Sequence, residues 1–319
     1  MAPGSRGGAV TRWRLPGGLR LWVGGGSLLL VAIALWTHGQ EVLALAPDQR
    51  GWALLLLGLS LTVAAQWANG LAWWALLRWL QLPLPLVPML LLFVRTNLLK
   101  YLPGGVWHQV SRVRLLRERG CSGRRALLSV LLEALLMVIA ALCVIPLGGL
   151  QGGLALVSPL ALLVLRPRWL NPLLERLLHS KRRLLRGDQD AADEPQTDGA
   201  FEPLVGAPWQ PLLLEFPFLA FRFAGFACCV QTFSGAGAVG WGGWIAAFAL
   251  AWSAGLVVPG APGGLGVFEL VLLARLAEAL PEAEVLAVLV SYRLISVLAE
   301  LLAAGGAELD GRFELQQAG

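Results

Sequence analysis

The sequence predicts an all-α, polytopic helical membrane protein with about seven full spans and two re-entrant or broken helices at PGG motifs. Three observations carry that expectation. Hydrophobic residues make up 57% of the 319 residues and charged residues only 14%, against about 25% charged in a soluble domain; a single water-soluble core cannot absorb so much apolar residue. The apolar residues fall in helix-length runs and do not alternate, which argues against an outer-membrane barrel. Two proline-glycine clusters interrupt the runs, one at Pro103-Gly104-Gly105 and one between Val257 and Glu269, which holds Pro259 and Pro262 with Gly260, Gly263, Gly264 and Gly266. No regular helix runs through either cluster, because proline removes an amide donor and glycine leaves the backbone loosely specified.

Residues 1–20 form a Gly-rich tail with Arg6, Arg12, Arg14 and Arg20, and 21–37 is apolar. The rival reading is a signal peptide cleaved after Ala44-Leu45-Ala46, but the apolar run ends well before that site, so a retained first span is expected. The arginines place the N-terminus in the cytoplasm. Residues 51–77 form the second span. Ala64, Ala68 and Ala72 make a small-residue stripe suited to close helix packing, and Trp67, Trp73, Trp74 and Trp79 gather toward one end as an interfacial belt does.

The next segment, 84–105, carries Arg95, Asn97 and Lys100 in a short apolar stretch. If it crossed, the loop holding Arg112, Arg114, Arg117, Arg119, Arg124 and Arg125 would lie outside, against the positive-inside rule. A re-entrant segment that turns at Pro103, Gly104 and Gly105 and leaves on the same side avoids this, provided its bare backbone is buried in protein or lines a wet cavity. An interfacial segment lying flat is the alternative. Residues 126–147 and 150–165 read as a hairpin of two spans and complete a first membrane half, 21–165.

Residues 166–211 form the one long polar loop, basic at first (Arg176, Lys181, Arg182, Arg183, Arg186) and acidic after (Asp188, Asp190, Asp193, Glu194, Asp198, Glu202). It is expected to be a disordered cytoplasmic connector with a membrane-hugging basic start. The second membrane half, 212–304, holds spans at 212–233, 241–258 and 284–304, with a broken helix at 257–280. The tail 305–319 is polar.

Several function classes drop out. The basic excess is nearly all arginine in loops, which topology explains, and no soluble basic face for nucleic acid is visible. Cys121, Cys143, Cys228 and Cys229 form no CxxC pair and read as small packing residues. His38, His108 and His179 lie in different segments, so no metal centre is expected. Gly235 to Gly240 spells GxGxxG, but between two membrane helices it lacks the strand that a dinucleotide site requires. No GxxxxGK[ST] loop is present, so no cofactor and no ATP hydrolysis are expected. The chain reads as transporter-like more than enzymatic.

The breaks point to a site. Transporters often bind substrate at broken helices in matching positions of two halves. A helix starting just after Gly264 would aim free amides and a positive dipole end inward, a seat for phosphate. Arg293, in the last span, is the sharpest single residue, because charge at that depth is costly and is functional or paired. It either forks onto a lipid phosphate or pairs with Glu269 or Glu300. Ser296 and Glu300 share its face. Glu133 reads as a helix-pairing acid, and Arg112 and Arg114 as topological anchors first and head-group contacts second.

Two stretches, NLLKYLPGGVWHQVSRVRLLRERG (97–120) and PGAPGGLGVFE with a later SYRL (259–269, 291–294), resemble the lysylphosphatidylglycerol synthase transmembrane region, a flippase-like membrane family. The likeness covers roughly 20–305 and rests on Asn97, Tyr101, Pro103, Gly104, Arg112, Glu133, Pro262, Gly263, Gly264, Gly266, Glu269 and Arg293. It implies a multi-pass protein of the bacterial inner membrane that handles membrane lipids or anionic lipid-linked head groups by translocation. The full synthases carry a soluble acyltransferase domain after the membrane part, and these 319 residues hold none, so aminoacyl transfer is not carried over. The expected substrate-binding residues are Arg293, Glu269, Gly263, Gly264, Glu133, Arg112, Asn97, Tyr101 and Glu300; the hinge residues are Pro103, Gly104, Gly105, Pro259, Pro262 and Gly266. The leading function is a lipid flippase or carrier. The alternatives are a membrane-embedded transferase using Glu133, Glu269 and Glu300, and a non-catalytic partner of another membrane protein docking through 166–211.

Overall fold

A computed structural model describes residues 45–101, 106–150, 153–185, 204–235, 237, 239–258 and 262–317. The expected first span at 21–37 and the hinge residues Pro103, Gly104, Gly105 and Pro259 lie outside the described residues. Within them the chain is helical, with no strand.

Helix α1 (Gln49–Trp79) starts where Asp48 accepts a hydrogen bond from the Gly51 amide at 2.6 Å, a side-chain cap that satisfies one orphan donor. It packs most extensively against α7 (Trp209–Phe233). Glycine allows the approach: a Cβ on Gly225 would lie 2.3 Å from Thr62 Oγ1 and 3.0 Å from the Gly58 carbonyl oxygen. The tight seam therefore runs through Gly58, Thr62 and Gly225. In the expected alanine stripe, Ala68 and Ala72 are buried and Ala64 is half-buried.

Helix α2 (Leu86–Asn97) tightens into a 3-10 turn at Leu98–Tyr101, and α3 (Trp107–Glu118) follows the proline-glycine break. The three polar side chains noted in this short segment are all engaged. Arg95 pairs with Glu308 at 3.1 Å, Asn97 donates to Gln66 at 2.9 Å, and Lys100 pairs with Glu300 at 2.6 Å.

Helix α4 (Gly123–Val144), capped by Ser122, runs on into a 3-10 turn at Ile145–Gly148. Where a full span was expected over 150–165, the chain instead forms a single α-turn, α5 (Leu154–Val157), continued as 3-10 helix through Leu165. The Gly-rich turn before it and Pro159 inside it shorten the element, which has the composition of a span but not the length.

The start of the polar loop is ordered. Helix α6 (Pro167–Leu185) buries Leu170, Leu174 and Leu178, one stripe at every fourth position, against the first half's core. Asn171 fastens the returning chain by accepting from the Leu204 amide at 3.0 Å and donating to its carbonyl at 3.4 Å. The expectation of disorder from 166 onward is corrected for this part; Arg186 and the acidic part of the loop, through residue 203, lie outside the described residues.

The second half comprises α7, α8 (Gly240–Val257), a 3-10 turn at Pro262–Gly264, α9 (Val267–Leu276) and α10 (Glu282–Gln317). Phe226, Phe248, Phe268 and Tyr292, one from each of these helices, meet with ring centroids 5.1–6.3 Å apart. Edge-to-face and tilted pairs dominate, the geometry that ring quadrupoles favour. Among the described residues five helices are long and apolar enough to cross a membrane: Gln49–Trp79, Gly123–Gly148, Trp209–Phe233, Gly240–Val257 and Glu282–Glu308. Four of the hydroxyls inside them are satisfied locally: Thr62, Thr232, Ser253 and Ser296 each donate to the carbonyl four residues back.

Candidate functional site

Both proline-glycine breaks border one cavity of about 320 Å³. Tyr101 and Val106 flank the first break, Val258 and Gly263 belong to the second, and all four line the cavity. The 3-10 turn that precedes the first break touches the second. A Cβ on Gly263 would sit 3.4 Å from Tyr101 Cε1 and 3.6 Å from Lys100 Cε, and Gly263 holds φ at 60°, a conformation that side chains disfavour. Gly264 lies against Gly255 of α8, with 3.3 Å between its would-be Cβ and the Gly255 Cα.

The second break is held by a clamp of three residues. Gly266, at φ 83°, opens α9, and Glu269 Oε2 accepts from the Gly266 amide at 2.7 Å. Glu269 Oε1 accepts from Arg293 Nε at 2.7 Å and also meets Nη2. Arg293 Nη1 reaches back to the Gly263 carbonyl at 3.3 Å. Thus one arginine on α10 fixes both sides of the turn. The helix begins at Val267, later than expected, and its positive end is occupied by its own Glu269 carboxylate. The expectation that this helix start offers an open seat to phosphate is corrected on that ground.

A second network centres on Glu133, which lines the same cavity. Arg112, 1% exposed, donates from Nη1 to both Glu133 oxygens at 2.8 and 2.7 Å and from Nε to Thr96 Oγ1 at 3.1 Å. Its guanidinium lies 3.8 Å from the Phe93 ring centroid and 5.4 Å from that of Trp73. A charge this deep is tolerated because every face of it is paired or stacked. Arg112 is therefore an interior residue and not a surface anchor; Arg114, paired with Glu118 one turn on, is the exposed one.

Of the nine expected binding residues, Asn97, Tyr101, Glu133, Gly263, Gly264 and Arg293 line the cavity. Arg112, Glu269 and Glu300 stand behind it, each in an ion pair with a residue of another element. Of the hinge residues, Pro262 and Gly266 are described and bracket the second turn. Sequence reasoning passed over Arg222, Gln66, Asn69 and Trp252, all of which line the cavity, and noted Lys100 only as a charge in a short apolar segment. The signal for Arg222 was present: a lone arginine inside the apolar run 212–233 meets the same criterion that singled out Arg293.

Lys100, Arg222 and Arg293 approach the cavity from three different elements, and amide side chains of Gln66, Asn69 and Asn97 face it from α1 and α2. Such a wall offers hydrogen-bonding groups and positive charge, in a protein that also exposes many large apolar side chains. No curated protein matches the chain. A family model described as the lysylphosphatidylglycerol synthase TM region matches residues 21–304, and the protein belongs to that family of membrane domains.

Proposed function

We propose that this protein is a carrier or flippase that moves lipid head groups, phospholipid or lipid-linked, across the membrane through the cavity between the two breaks. The observation that carries the reading is the convergence of Lys100, Arg222 and Arg293 on one cavity bordered by both breaks. A head group enters such a cavity while its tails stay in lipid, and the ion pairs Arg293–Glu269 and Lys100–Glu300 join elements that must separate when it passes.

The topology proposed with it has the breaks half-crossing the bilayer. Helices α2 and α3, at 12 residues each, extend about 18 Å, and α9, at 10 residues, about 15 Å. All fall short of a hydrocarbon core of about 30 Å. Short helices abutting a polar cavity are the setting in which irregular backbone is tolerated at membrane depth. Together with a 21–37 span this gives a bacterial inner-membrane protein with a cytoplasmic N-terminus, and a reporter fused after Gly319 fixes the side of the other end.

A transferase needs two groups poised at one reacting centre. Among the described residues Glu269 and Glu300 lie outside the cavity lining, and Glu133 is engaged by Arg112. That dispersal favours the carrier. The test is reconstitution of purified protein into vesicles with labelled phospholipids. Head-group movement above that of protein-free vesicles, without covalent change, supports the carrier; a new lipid species supports the transferase; neither result in a well-inserted preparation refutes both.

A further inference from the structure

Three ion pairs settle most of the charge around the cavity: Arg112–Glu133, Lys100–Glu300 and Arg293–Glu269. Arg222 is left over. It is 4% exposed and lines the cavity, and its Nε and Nη1 have no hydrogen-bond partner among the described residues. Glu215, the acid on the same face of α7, is two turns away, about 10 Å along the axis. What holds the guanidinium is aromatic: the Trp252 ring at 4.9 Å and the Tyr292 ring at 5.5 Å. Ring faces position a cation without neutralising it. A buried charge without a counter-ion is expensive in a membrane and marks a ligand site.

Other unpartnered polar atoms accompany it. Trp252 Nε1, a donor, and Asn69 Oδ1, an acceptor, are buried and without hydrogen-bond partners among the described residues, and both residues line the cavity. We propose that Arg222 is the anion receptor of this cavity. It binds the phosphate of a head group whose hydroxyls are taken by Asn69 and Gln66. The planar fork of an arginine matches two phosphate oxygens at once. At about 320 Å³ the cavity stands at the small end of the range for ligand pockets, about 300–1,000 Å³, which suits one polyol phosphate. Glu133, the carboxylate in the cavity wall, is bound by Arg112, so a cationic aminoacylated head group finds no free acid there. The site thus selects an anionic phosphate ester over a cationic one. This deepens the carrier reading and rests on it for the lipid source of the ligand.

The test is equilibrium binding to the purified full chain in detergent. The probes are dioctanoyl phosphatidylglycerol, glycerol 3-phosphate, inorganic phosphate and uncharged dioctanoylglycerol. The expected result is saturable binding of dioctanoyl phosphatidylglycerol that weakens about 10- to 100-fold in Arg222→Gln, the worth of charge-assisted hydrogen bonds, with no change in dioctanoylglycerol binding. Arg222→Lys keeps the charge without the fork and is expected to fall between. Should Arg222→Gln fail to fold, a several-fold loss in Arg222→Lys carries the same conclusion. Glycerol 3-phosphate binding as tightly as the lipid keeps Arg222 as receptor and assigns the site to a free phosphate ester. Wild-type affinity in both variants, or no saturable binding of any phosphate probe by the wild type, overturns the proposal. Phosphatidylglycerol movement in vesicles that persists in Arg222→Gln also overturns it while leaving the carrier reading standing. Arg222-dependent binding without movement by the wild type retains the receptor and removes the carrier.

Discussion

Replacing Glu133 by leucine should be among the most damaging single changes in this protein, and replacing its partner at the same time should undo much of the damage. Arg112 is 1% exposed and gives Glu133 two hydrogen bonds, at 2.8 and 2.7 Å. Glu133→Leu removes both and strands a guanidinium with only Thr96 at 3.1 Å and Asn97 at 3.4 Å. Removing one partner of a buried pair costs about 3–5 kcal/mol. Two features of the site place the expectation near the lower figure. The Phe93 and Trp73 rings still stack on the cation, and Glu133 lines the cavity, where water partly screens what remains. The double variant Arg112→Leu with Glu133→Leu buries no charge, so its cost should lie below that of Glu133→Leu alone. The coupling between the two positions should be at least about 2 kcal/mol, toward the upper end for residues in contact. The assay is the free energy of unfolding in mixed micelles, by titration with a denaturing detergent, for all four corners of the cycle. A Glu133→Leu cost under about 1 kcal/mol, or a double variant equal to the sum of the singles, would refute the claim that this pair is desolvated and mutually dependent.

Gly225→Ala should destabilise by about 1–3 kcal/mol, the usual cost of overpacking, because its methyl meets Thr62 Oγ1 at 2.3 Å; Gly305→Ala, with nothing within 4 Å, should be neutral or gain up to about 1 kcal/mol in the same unfolding assay. Lys100→Met leaves Glu300 buried and unpaired, so expression of folded protein should fall, and the charge swap Lys100→Glu with Glu300→Lys should recover part of it by size-exclusion chromatography. Arg293→Ala unfastens Glu269 and the Gly263 carbonyl together; head-group movement in vesicles should be abolished while the protein still reaches the membrane, and normal movement by this variant would remove Arg293 from the mechanism.

Membrane class, the helical character of the chain and the positions of the long spans were legible in the sequence because each is a one-dimensional property: a run of apolar residues of sufficient length. The helix at Pro167–Leu185 was not, because its charge count resembles a disordered linker. Only the spacing of Leu170, Leu174 and Leu178 distinguishes it, and that stripe matters once there is a core for it to cover. The short element at 150–165 failed in the opposite direction, its composition outweighing the glycines and Pro159 that limit its length.

For the site, what one residue type demands was readable, and which partner meets the demand was not. Arg293 had to be paired or liganded at its depth, yet Glu269 and Glu300 were equal candidates along the chain. The geometry separates them through Gly266: its positive φ starts α9 where Glu269 can cap the helix and face α10 at once. Glu300 is then free for Lys100, which the 3-10 turn at Leu98–Tyr101 carries alongside α10. Arg112 was misplaced for a related reason. Its neighbours in sequence are exposed arginines, and only the return of α4 supplies the carboxylate that draws this one inward. Among the described residues Arg222 has no such carboxylate, and its company is aromatic. Paired cations can be reasoned toward from the chain by looking for their acids. A cation whose partner is a ligand leaves no trace in sequence except its own improbability, and that is the property by which Arg222 should be judged.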